Sequence, residues 1–80
     1  GVSARSALIV GCDKLHNLRS TVADLEVLGP AVLGRFNAAP PQQRWLYGEL
    51  LAALRDKLPP RLHAELTALC ERYAALTEGL

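Results

Sequence analysis

Eighty residues make one small domain at most, near the lower limit of what a single hydrophobic core stabilises unaided. Half of them are hydrophobic and 21% are charged, which excludes a disordered chain, and nine cations against eight acids leave a net charge of +1, which excludes a phosphate-backbone binding surface. Aromatics are few (Trp45, Tyr47, Tyr73 and Phe36), so the core must rest on Leu, Ala and Val, a composition that favours helix over strand and an all-α fold class.

The first periodic segment runs from about Ser3 to Leu28, with Ser3 as N-cap and Gly29-Pro30 as the stop. At about 100° per residue, Leu8, Gly11, Leu15, Leu18, Val22 and Leu25 share one broad apolar face. Asp13, Asn17, Ser20 and Asp24 form a narrow polar stripe nearly opposite. Ile9 and Val10 flank the direction of Asp13, so the helix is apolar almost all round at its start. A carboxylate in that setting is expected to be partly buried and in need of a cation, a metal or several donors.

Ala31 to Phe36 reads as a short helical turn, and Asn37-Ala38-Ala39-Pro40-Pro41 as a loop, because consecutive prolines hold the chain out of the helical region. A second helix is predicted from about Pro41 to Leu58, with Leu46, Leu50, Leu54 and Leu58 on one side, supported by Trp45, Tyr47 and Leu51. Pro59-Pro60 ends it. A third helix is predicted from Pro60 to Leu76, with proline in the first turn where no donor is lost. Its apolar stripe is Leu62, Leu66, Leu69, Tyr73 and Leu76. The whole chain, residues 1–80, is read as one helical domain of three main helices and a helical turn.

Cys12 and Cys70 belong to no metal-ligand spacing and read as two buried free thiols in a reducing cytoplasm. Leu8-Ile9-Val10-Gly11-Cys12 is similar to a bacterial lipoprotein cleavage box, but the apolar run is short, one cation precedes it and helical periodicity continues through it. No segment approaches the roughly 20 apolar residues that span a membrane.

The chemistry concentrates in the run Cys12 to Ser20. Asp13 and Asn17, four apart, project from one helix face about 6 Å from each other. Asp13 could ligate a metal there while Asn17 and Ser20 orient a polar ligand; the other reading is a solvated polar stripe. His16 could share a metal with Asp13, or bond a carbonyl or carboxylate and support the helix, which is the role assigned to it. His63, at the start of the third helix, is expected to be exposed. There is no nucleophile elbow and no phosphate-binding glycine loop. One Asp and one nearby His fall short of the three or more protein ligands of a hydrolytic metal site, so no residue is assigned as catalytic.

Asp13-Lys14-Leu15-His16-Asn17-Leu18-Arg19 resembles the last motif of the HD-domain metal-dependent phosphohydrolases, in the branch that includes the alarmone hydrolases of the bacterial stringent response. The likeness continues through Arg19 to Leu25, Gly29, Arg35-Phe36 and Trp45-Leu46-Tyr47, where Leu46 stands in place of a second aromatic. The resemblance implies an all-helical fold and a divalent metal, commonly manganese, held by a His, a His-Asp doublet and a distant Asp. Asp13 matches the distant Asp, and Asn17 matches a residue beside the nucleotide. Lys14 and Arg19 are candidates to screen phosphate, although they point about 100° and 240° away from Asp13.

Gly1 to Cys12 contains neither His nor Asp, so the upstream ligands are missing. The chain is therefore expected to be the C-terminal half of an HD domain. It would be incomplete as an enzyme alone and bind no metal by itself, with a nucleotide as the parent's substrate and no nucleic-acid or membrane partner. The alternative is a non-catalytic helical module, one that forms homo-oligomers through an exposed core face such as the stripe Leu62 to Leu76.

Overall fold

The fold was analysed in a computed structural model, which describes residues 3–35 and 39–80. Its order is α1 (Ala4–Leu28), a 3-10 segment (Gly29–Arg35), α2 (Pro40–Leu54) and α3 (Pro60–Leu76), with no strand among the described residues. The all-α expectation holds. The molecule measures 36 × 20 × 18 Å, and its long axis is close to the length of the 25-residue α1 at about 1.5 Å per residue.

Local chemistry explains the boundaries. The Ser3 hydroxyl accepts the Ser6 N–H at 3.1 Å, satisfying one free donor at the start of α1. Gly29 stops α1 at φ 76°, a value that disfavours any residue with a Cβ, and its N–H bonds the Leu25 carbonyl. Prolines open both α2 and α3. The predicted turn at Ala31 to Phe36 is a 3-10 helix that begins two residues earlier, at Gly29; Phe36 itself, like Asn37 and Ala38 of the predicted loop, lies outside the described residues. Helix α2 ends at Leu54 rather than Leu58. Pro59 disfavours helical backbone at Leu58, and the turn between them is closed by the Lys57 and Leu58 N–H groups on the Leu54 carbonyl.

That early turn drops Leu58 into the core. The buried apolar residues described are Ala7, Leu18, Val22 and Leu25 of α1, then Val32, Leu54, Leu58, Leu66 and Tyr73. Helix α3 is the centre of the molecule: it packs against α1 along much of its length and against α2 on another side, while α1 and α2 scarcely touch. Leu62, Leu66, Leu69, Tyr73 and Leu76 therefore face protein, and the stripe is not an exposed association surface. Tyr47 of α2 meets Tyr73 edge to face, ring centroids 5.2 Å apart.

The buried face of α1 is rotated from the expected one, toward Ala7 and Thr21 and away from Leu8. Gly11 remains at its centre, where a Cβ would lie 2.9 Å from the Leu58 side chain. The start of α1 is not covered on its other sides: Leu8, Ile9 and Val10 are all exposed, Ile9 by 63%. Trp45 and Leu46 also face outward instead of supporting the α2 stripe.

Candidate functional site

The polar stripe of α1 and the first turns of α2 face each other across a cleft of about 550 Å³. It exists because α1 and α2 are each packed on α3 and not on one another. Asn17, Ser20 and Asp24 line one wall, with Lys14, His16 and Thr21 beside them. Gln43 and Tyr47, four apart on α2, line the other, and Leu18 closes the floor. The volume lies within the range of small-ligand pockets.

Most of the sequence-assigned residues meet here. Asn17 and Ser20 are exposed to the cleft, and Lys14, which spacing had turned away from the stripe, lines it as well. A long flexible ammonium side chain reaches round the helix surface farther than its Cβ direction indicates. His16 also lines the cleft and is exposed, so its ring stands at the ligand surface and not beneath it.

Asp13 is different. It is exposed, and it is not part of the cleft lining. The expectation of a buried carboxylate is overturned because no described element crosses that side of α1; the flanking Ile9 and Val10 face outward with it. Among the described residues no three His, Cys, Asp or Glu side chains gather into a group that could hold an ion. Asp13 therefore stands outside any three-ligand group among the described residues.

The thiols and the second histidine also differ from expectation. Cys12 is exposed, on the same uncovered side as Asp13. Cys70 is half-buried, and burial, reinforced by Glu71, pushes its thiol up to about 11. His63 is half-buried rather than exposed, and its Nε2 meets the Leu51 carbonyl at 2.9 Å, close to the end of α2 where backbone acceptors run out of helical partners.

Donor and acceptor roles in the cleft follow from its bonds. The Thr21 hydroxyl donates to the Asn17 carbonyl at 2.9 Å and so is committed to its own helix. Asp24 is also engaged by a partner. Burial pushes the Tyr47 hydroxyl up to about 12, with Tyr73 and Cys70 adding to the effect, so it keeps its proton at neutral pH. The groups presented to a ligand include an amide from each wall, the Ser20 hydroxyl, the His16 ring, the edge of Tyr47 and the Lys14 ammonium. One cation beside one carboxylate gives a nearly balanced wall, suited to a polar ring whose charged end lies near Lys14.

Gln43 and Tyr47 of the far wall, with Leu18 and Thr21 of α1, line the cleft although the sequence assigned none of them to the site. The i, i+4 spacing of Gln43 and Tyr47 places them on one face of a proline-capped helix, but only packing shows that this face looks at Asn17. Comparison with family models, with curated proteins and with solved structures returned no match.

Proposed function

We propose that this chain is the nucleotide-holding part of a metal-dependent phosphohydrolase related to the HD-domain family, with Asp13 as one ligand of a metal whose other ligands it does not carry. The observation that supports this reading is the convergence of Asn17, Ser20 and Lys14 on one cleft, from the same run that carries the family likeness. Asp13 to Asp24 spans about 16 Å of helix axis, enough for a nucleoside with its phosphates extended. The base and sugar would lie between Asn17 and Tyr47, and the phosphates would run past Lys14 toward Asp13. The exposed Leu8, Ile9 and Val10 beside Asp13 supply an apolar surface for the segment bearing the His and the His-Asp doublet.

Titration of the chain with GDP, followed by amide chemical shifts, tests the cleft. Shifts are expected at Asn17, Ser20, Gln43 and Tyr47, and Asn17→Ala should weaken binding about tenfold, the loss of one good hydrogen bond. Absence of shifts in the cleft rejects the reading. When the chain is joined to a segment supplying the missing ligands, Asp13→Ala should lower both metal content and pyrophosphate release; no change in either removes Asp13 from the site. A second reading, a module that associates with another copy of itself, draws on the same exposed Leu8, Ile9 and Val10. Sedimentation decides it: self-association that Ile9→Lys abolishes supports it, and a strict monomer rejects it.

A further inference from the structure

One buried polar contact involves no residue of the cleft lining. Thr77, just past the end of α3, is 0% exposed. Its hydroxyl donates to the Tyr73 carbonyl at 2.8 Å, back along its own helix. The same oxygen accepts from Arg44 Nη1 at 2.9 Å, and the Thr77 carbonyl accepts from that nitrogen at 2.9 Å. Arg44 thus ties the first turns of α2 to the end of α3 by a charge-assisted pair of bonds. It lies between Gln43 and Tyr47 in sequence, the two residues that form the outer wall of the cleft. Among the described residues α1 and α2 have few direct contacts, so the position of that wall is set mainly through α3.

We propose that Arg44 is a positioning residue for the cleft: through Thr77 it fixes the distance of the α2 wall from the α1 stripe, and so holds Gln43 and Tyr47 in reach of a ligand bound at Asn17. The Tyr47–Tyr73 contact, on the same two helices, acts with it. An edge-to-face aromatic pair tolerates sliding, whereas two hydrogen bonds from one guanidinium nitrogen do not. Removal of the tether is therefore expected to let α2 swing on α3 while the α1–α3 packing stays as it is. The proposal rests on the cleft being the binding site, and its main measurement needs no ligand.

The experiment uses the full chain with Cys12→Ser and Cys70→Ala, and nitroxide labels introduced by Ala23→Cys on α1 and Gln42→Cys on α2, both exposed positions. A control pair uses Ala23→Cys with Glu71→Cys on α3, also exposed. Pulsed electron paramagnetic resonance reads the two distance distributions. Arg44→Gln and Thr77→Val are each expected to turn a single narrow α1–α2 distance into a broad distribution, with the α1–α3 distance unchanged. Thr77→Ser keeps both acceptors and should retain the narrow distance, a rescue that loss of packing volume alone does not produce. GDP affinity should fall about tenfold in the broadened variants, as for one lost hydrogen bond. An unchanged α1–α2 distance in Arg44→Gln and Thr77→Val overturns the proposal. So does joint broadening of both pairs or loss of helical circular dichroism, which would make the contact a support of the whole fold. If the distances respond as expected but the unsubstituted chain does not bind GDP, the nucleotide reading fails and the positioning role stands.

Discussion

At the scale of single residues, Gly11 shows how a small side chain decides packing. A Cβ there would come within 2.9 Å of the end of the Leu58 side chain, a group that can turn aside. Gly11→Ala gains about 1 kcal/mol of helix propensity and spends it on moving Leu58, so thermal unfolding should show a net change of less than about 1 kcal/mol. Gly11→Leu leaves Leu58 nowhere to go and should destabilise by about 1–3 kcal/mol. Asp13 is the opposite case. Its sequence neighbours marked it as buried, but burial depends on what crosses a helix face, and no described element crosses this one.

At the scale of elements, α3 organises the molecule and its contacts divide into two kinds. The apolar stripe from Leu62 to Leu76 carries the stability. The ion pairs Arg19–Glu65 at 2.8 Å and Arg72–Glu26 at 3.1 Å join α1 to α3 at the surface, with every partner 44–62% exposed. Pairs of that kind contribute less than about 1 kcal/mol each and are screened by salt. Glu65→Gln should therefore shift the unfolding midpoint only slightly at low salt and not at all near 1 M salt; a large, salt-independent loss would show that the pair is more than a surface contact. The periodicity of all three helices was legible in the sequence, because apolar spacing and proline placement are local. The end of α2 at Leu54 was not, because it depends on Leu58 turning inward to meet Gly11.

At the scale of the whole molecule, the buried and half-buried acids where α2 meets α3 give a pH dependence. Burial raises the Cys70 thiol to about 11 and the Tyr47 hydroxyl to about 12, and raises Tyr73 as well. Each group binds its proton more tightly in the folded than in the unfolded chain, so stability is full below the unfolded values and falls as pH rises through the folded ones. The window opens near 9, the ordinary value for the thiol, and extends to about 12. Thermal unfolding followed from pH 7 to 11 should be flat to about pH 9 and then decline, and Cys70→Ala should remove the earliest part of that decline.

The amino-acid sequence by itself determined the helices, all their proline and glycine boundaries except the end of α2, and the run from Asp13 to Ser20 that carries the chemical character, since each follows from neighbours within a few positions. It also placed Asn17, Ser20 and Asp24 on one stripe, because helix geometry is fixed. Tertiary structure alone decided what that stripe faces. The packing of α1 and α2 on a shared α3 opens the cleft, brings Gln43 and Tyr47 opposite Asn17, and leaves Asp13 outside with Ile9 and Val10. Those outcomes depend on contacts between residues far apart in the chain, and no local pattern encodes which face of one helix will meet another.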